Sequence, residues 1–157
     1  MAGVRLTLLE RDGVGGERRP IRVLVVDDEA PIRMLCRVNL QIAGMEVEEA
    51  EDGAAALRSL ETGRVDLVLL DVMMPNLDGW DVAERLAASV ATRDLPVVFL
   101  TARVGDEDRR RAFDLAAVGY VVKPFDPIGL PDLVETTLER LARGEREQLR
   151  AEVLGRQ

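Results

Sequence analysis

The sequence predicts an α/β domain built on a doubly wound parallel sheet, and three observations lead there. Short runs rich in Val, Leu and Ile alternate with longer stretches of helical periodicity, five of each. Three of the short runs, at residues 23–26, 65–70 and 97–100, are apolar at successive positions save for Asp66, as strands covered by helices on both faces are. Strict alternation of strand and helix then requires parallel strands joined by crossovers.

The elements follow in order. Residues 1–20 carry Gly13, Gly15, Gly16 and Pro20 among charges, without apolar periodicity, and are expected to be a flexible leader. The first strand is expected at 21–26, then a helix at 31–43 opened by Pro31 and stopped by Gly44. A second strand at 45–50 alternates around Val47, and a helix at 54–61 ends before Gly63. The remaining expected pairs are strand 65–70 with helix 80–89, strand 96–100 with helix 106–116, and strand 120–122 with helix 130–143. The domain therefore spans 21–143. Residues 144–157 hold Leu149, Val153 and Leu154 at loose helical spacing; a solvated helical tail is expected, with a dimerising or linker helix as the alternative.

Composition excludes several functions. The net charge is −8, and residues 21–143 carry 23 acidic against 14 basic groups, so neither nucleic acid nor an anionic membrane is an expected partner. There is no histidine, which removes Ser-His catalysis, His metal ligands and phosphohistidine carried by this chain. The single Cys36 excludes an internal disulfide and reads as a buried small hydrophobe, and a cytoplasmic location is expected. Of 21 basic residues only Lys123 is a lysine, a compact point charge where the chain otherwise uses the broad guanidinium fork.

Ligands of open α/β sheets bind beyond the carboxyl ends of the strands. The residues there are Asp27, Asp28 and Glu29 after the first strand, Asp71 and the Met73–Gly79 loop after the third, Thr101 and Ala102 after the fourth, and Lys123, Pro124 and Phe125 after the fifth. Singly, each has a plain reading as a helix cap, a turn residue or a solvated charge. Together they place several carboxylates at one edge, and two carboxylates about 4 Å apart repel by roughly 4 kcal/mol at an effective dielectric of 20. A hard divalent ion such as Mg²⁺ resolves that conflict. Lys123 and the Thr101 hydroxyl then offer a charge and a donor to an anion, which describes phosphoryl chemistry with a carboxylate nucleophile; Asp71, from the most apolar strand, is the natural one.

This set, Asp27-Asp28, Asp71 with its Met-Met-Pro-Asn-Leu-Asp-Gly loop, Thr101-Ala102 and Lys123-Pro124-Phe125, resembles the receiver domain of two-component response regulators, in order and spacing over about residues 20–143. The resemblance implies a flavodoxin-like (βα)5 fold with strand order 2-1-3-4-5, in a single-domain, chemotaxis-type architecture. It implies that Asp71 is the phosphoacceptor and that Mg²⁺ is held by Asp28, Asp71 and the backbone carbonyl of Met73, with Asp27 helping through water. Lys123 would bind a phosphoryl oxygen, and Pro124 would follow a cis peptide. Thr101 would turn toward the phosphoryl group and Tyr120 would swing inward behind it, reshaping the surface of the fourth helix, fifth strand and fifth helix, through which a downstream target protein would be engaged. The donor would be a histidine kinase or phosphotransfer protein. The protein would be no enzyme beyond its own phosphorylation and dephosphorylation.

Some positions depart from the pattern or vary within it. Met73 and Arg103 stand where similar domains tune hydrolysis of the acyl phosphate. Ala116 stands where a Gly is usual, and because Ala resists the left-handed cap conformation that helix end is expected to be built differently. Arg109-Arg110-Arg111 reads as a solvated helix face, or as a dock for an acidic partner. Two alternatives stand beside the main reading: a receiver fragment of a longer regulator with a transcriptional or nucleotide-cyclase output, and an Mg²⁺-dependent aspartate-nucleophile phosphatase. The phosphatase would want Asp-x-Asp after the first strand, where this chain has Asp27-Asp28-Glu29.

Overall fold

A computed structural model describes residues 8–10 and 18–155. Its centre is a five-stranded parallel sheet of β3 (Arg22–Val26), β4 (Glu46–Ala50), β5 (Leu67–Leu70), β6 (Val97–Thr101) and β7 (Gly119–Val122), ordered β4-β3-β5-β6-β7. Counted among these five, the order is 2-1-3-4-5, as the resemblance implied. Two further strands, β1 (Leu8–Glu10) and β2 (Arg18–Pro20), pair antiparallel as a separate ribbon. The leader expectation did not contain this ribbon; it is too short for alternation to register. The rest of the expected leader, 1–7 and 11–17, lies outside the described residues.

Among the described residues six α-helices cover the sheet: α1 (Ala30–Ile42), α2 (Gly53–Thr62), α3 (Gly79–Ala88), α4 (Asp106–Asp114), α5 (Leu130–Ala142) and α6 (Arg146–Val153), with a 3-10 turn at Pro127–Gly129 before α5. The two-residue period of the strands sorts the core into two layers. Leu24, Val26, Val68, Leu70 and Phe99 face the α2–α3–α4 side, while Val23, Val25, Leu67, Leu69, Val98 and Leu100 join Cys36 and Leu40 of α1 and Val134 of α5 on the other. Each such fully buried Val, Leu or Phe contributes about 1.5–3 kcal/mol relative to exposure. The edge strand β4 is instead rich in Glu: Arg22 bonds Glu46 and Glu48, and Arg33 and Arg37 hold Glu49. Charge of this kind blunts an edge against further pairing.

Element ends move by at most two residues from expectation, and two shifts have consequences. Thr101 closes β6 instead of following it, so its side chain is enclosed by the sheet. Residues 65–66 fall outside β5, because the Asp66 carboxylate turns back to accept from the Arg22 N–H at 2.8 Å.

Two corrections concern helices. The end of α4 is built in the usual way: Ala116 adopts the left-handed conformation at φ 65°, with Ala116 N–H donating to Phe113 O and Ala117 N–H to Ala112 O. The same two-bond ending closes α1 at Gly44 and α5 at Gly144. The C-terminal segment is helical but not a solvated tail. Leu149 and Val153, one turn apart on α6, are 5% and 2% exposed, packed on α4, β7 and α5. Leu149 joins the α1–α5 layer and Val153 the α2–α4 layer, so α6 bridges both across the open edge of β7.

Candidate functional site

Two strand ends and a helix start set the acidic floor. β3 and β5 are adjacent and in register, Val26 opposite Leu70, so Asp27 and Asp71 emerge side by side. Asp71 N–H donates to Val26 O and Asp27 N–H to Ala50 O, which continues the ladder and holds both backbones. The start of α3 fixes the far side: Gly79 N–H donates to Val72 O, and any Cβ at Gly79 would collide with the Asp71 carbonyl oxygen and lie 2.8 Å from Val72 Cα. Only glycine lets the helix pack this close to the Asp71 backbone. Asp78 caps α3 reciprocally with Asp81, Asp78 Oδ1 accepting from Asp81 N–H and Asp81 Oδ2 from Asp78 N–H.

The Asp27, Asp28 and Asp71 carboxylates each offer an oxygen within 4.8 Å of the others. Asp27 is fully enclosed and both its oxygens are engaged: Oδ1 accepts from Glu29 N–H at 2.8 Å and Oδ2 from Lys123 Nζ at 2.7 Å. Asp28 faces solvent, and Asp71 is 4% exposed. Lys123 Nζ lies 3.6 Å from Asp71 Oδ2 and 3.4 Å from Glu29 Oε1. One ammonium thus serves three acids.

The imbalance shows in the protonation of Asp71. Burial, then the charges of Asp27 and Asp28, push its pKa up from 3.8 to about 6, against the downward pull of Lys123 and of the Met73 N–H, which approaches Oδ1 at 3.4 Å. Burial alone would lower the pKa of Lys123, but its bond to Asp27 and the fields of Asp71 and Glu29 hold it above the ordinary lysine value. A cluster of hard oxygen donors that strains toward protonation is the donor set of a divalent cation, and these residues fit one.

Thr101 is enclosed at the end of β6, and its Oγ1 accepts from Arg103 N–H at 3.1 Å. The next peptide out is held by Tyr120, whose hydroxyl donates to Arg103 O at 2.9 Å. Arg103 is therefore clamped at both ends of its main chain by the two residues expected to form the switch. No sequence signal marks that clamp, because a backbone N–H and carbonyl make it. The Tyr120 ring is half-buried, 6.4 Å from Phe99, with the Arg109 guanidinium stacked at 4.7 Å on it. Arg111 is exposed but stacks on Trp80 at 5.0 Å, and Arg110 is exposed beside Asp114; of the three consecutive arginines Arg109 departs furthest from the solvated face expected for all. The Lys123–Pro124 peptide is cis. A cleft of about 370 Å³ opens to solvent between Asp28, Met73, Met74, Pro75, Asp78, Trp80 and Arg103, which puts Met73 and Arg103 at the mouth. Cys36 is enclosed, with a thiol pKa that burial pushes up to about 12; it is inert.

Comparison with known proteins agrees with this arrangement. The family model for the response regulator receiver domain matches residues 23–135. The chain is 44% identical over 120 residues to the transcriptional activator protein IrlR of Burkholderia pseudomallei, covering 76% of this chain and 51% of that protein. It is 43% identical over 122 residues to the phosphate regulon transcriptional regulatory protein PhoB of Escherichia coli, covering 77% and 53%. The chain thus spans about half the length of these curated relatives. Among solved structures, the chemotaxis response regulator CheY4 of Vibrio cholerae superimposes with a TM-score of 0.72 at 32% identity, covering 76% of this chain and 99% of that one. With a family model matched across the sheet, the acidic cluster and Lys123, this chain belongs to the receiver domains of two-component response regulators, a family of signalling switches.

Proposed function

We propose that Asp71 accepts a phosphoryl group in the presence of Mg²⁺ and that the domain signals by changing packing around Thr101 and Tyr120. The observation that carries this reading is the buried Asp71 carboxylate, held beside two other acids and 3.6 Å from the only ammonium side chain of the protein. A carboxylate oxygen of Asp71 attacks phosphorus, the phosphorus–nitrogen bond of a phosphohistidine donor breaks, and the leaving imidazole takes a proton from water. Bound Mg²⁺ supplies charge neutralisation between the carboxylates and the incoming phosphoryl oxygens. Asp28 and Asp71 would hold it directly with the Met73 carbonyl, and Asp27, already bonded to Lys123 and Glu29 N–H, would act through water. Lys123 stabilises the charge on a phosphoryl oxygen without changing protonation, since its partners keep it charged. The Thr101 hydroxyl, drawn to the added charge of about −1.5 to −2, gives up the Arg103 N–H and loosens the clamp on Tyr120.

The donor's approach is supported by α1. It starts directly after Asp27 and Asp28 and exposes Met34, Leu35, Val38 and Ile42, with Ile128 exposed on the 3-10 turn packed against it. An apolar stripe beside the acceptor suits a histidine kinase or phosphotransfer protein, in a cytoplasmic setting. Among the described residues no helix is long and apolar enough to cross a membrane.

Acetyl phosphate with Mg²⁺ should label the wild-type protein, and Asp71→Asn or chelation of the metal should remove the label. Labelling that survives in Asp71→Asn would transfer the acceptor role elsewhere and defeat the reading. A second reading, the receiver part of a longer regulator with a transcriptional output, is favoured by curated relatives about twice as long. The mass of the protein in its native cell, by immunoblot, separates the two.

A further inference from the structure

Helix α6 occupies the surface formed by α4, β7 and α5, and its contacts run back to the phosphoryl site. Arg109 of α4 is the link. Its guanidinium stacks on Tyr120 at 4.7 Å and donates to Val153 O, at the carboxyl end of α6, at 3.1 Å. Tyr120 in turn bonds Arg103 O, and Arg103 N–H bonds Thr101 Oγ1. An unbroken line of contacts therefore joins the end of β6 to the last turn of α6.

Beyond the two buried residues, the docking is made by polar contacts at the surface. Arg140 of α5 makes two bonds to Glu152 (3.0 and 2.8 Å) and one to Glu145 (2.9 Å), and Arg150 donates to Phe113 O at the carboxyl end of α4. Only Leu149 and Val153 of α6 are buried. A pocket of about 240 Å³, half open to solvent, remains between α6, β7 and α5, lined by Tyr120, Leu133, Thr137, Leu149 and Val153 among others. Arg150 Nε is the one buried side-chain nitrogen or oxygen without a hydrogen-bond partner among the described residues. An orphaned buried donor is unfavourable in a settled interface, and the open pocket gives water access to the underside of the helix. Eight residues are also too few to hold a helix in isolation, so undocking and unfolding of α6 are one event.

We propose that α6 is an internal cap over the α4–β7–α5 surface, released when the phosphoryl site is filled. The inference rests on the switch reading of Thr101 and Tyr120 given above. When Tyr120 turns inward, Arg109 loses the ring beneath it, Val153 O loses its donor, and the face becomes free for a protein target. Linkage makes the coupling reciprocal: if filling the site weakens α6 docking, weakening α6 docking tightens the site by the same factor.

The test uses the full chain and beryllofluoride with Mg²⁺ as the phosphoryl mimic. Amide hydrogen exchange of residues 146–153 in the wild type should accelerate about fivefold or more on saturation. Arg140→Gln and Glu152→Gln, both surface changes far from the acidic cluster, should expose the same amides without ligand and tighten beryllofluoride binding by a similar factor. Saturation that leaves α6 equally protected, or variants that open α6 with unchanged affinity, would overturn the cap while leaving the receiver reading intact. Failure of the wild type to bind the mimic at all would overturn both.

Discussion

Asp71 pays for its position with an unfavourable protonation balance, and that balance is measurable without any phosphodonor. Its carboxyl titrates at about 6 in the fold and near 3.8 when unperturbed. The folded protein therefore holds the proton more tightly than the unfolded chain, and stability attributable to this group falls as pH rises from about 4 to about 6. Above that range the cost is up to about 3 kcal/mol, at 1.36 kcal/mol per pH unit of displacement. In urea titrations without divalent ions, Asp71→Asn should match the wild type near pH 4 and exceed it by about 1–3 kcal/mol at pH 7. A difference that stays flat with pH would mean the like charges are not confined as described. The convergence of Asp27, Asp28, Asp71 and Lys123 was legible in the sequence, because each follows a run apolar enough to be a strand and the sheet brings those ends to one edge. The clamp on Arg103 was not, since main-chain atoms that any residue carries make it.

Helix ends show where local chemistry and tertiary demand part. α1, α4 and α5 close with the same two-bond turn, and in α1 and α5 the left-handed residue is a glycine, Gly44 or Gly144. α4 has Ala116 there, at φ 65°. From composition alone a different ending was the natural expectation, but β7 must begin within a few residues and Val118 N–H must reach Val97 O, so the chain takes the turn and accepts the strain. Ala116→Gly should consequently stabilise the protein by about 1 kcal/mol and raise Tm by roughly 2–4 °C, read by thermal unfolding. A fall in Tm would show that the methyl group is needed for packing. α6 marks the opposite limit of sequence reading. Leu149 and Val153 stand one turn apart as an apolar pair, enough to suggest a helix; the surface that receives them exists only once the open side of β7 is in place.

As a whole, the molecule is a sheet with two apolar layers that meet around one open side, plus a polar rim in which nearly every cation is a guanidinium. The lone primary amine among the side chains, Lys123, is committed to Asp27 with 13% of its side chain accessible and is held protonated above the usual lysine range. A protonated, enclosed amine is a poor nucleophile. Brief acylation by an N-hydroxysuccinimide ester at pH 7 should therefore place one adduct on the native chain, at its α-amino group, and two in strong denaturant, as counted by intact mass. Two adducts on the folded protein would contradict the enclosure of Lys123. The same arithmetic gives a direct use: a fluorophore introduced by amine chemistry under native conditions leaves the ammonium beside Asp71 untouched, so tagged protein remains fit for testing the proposed phosphorylation.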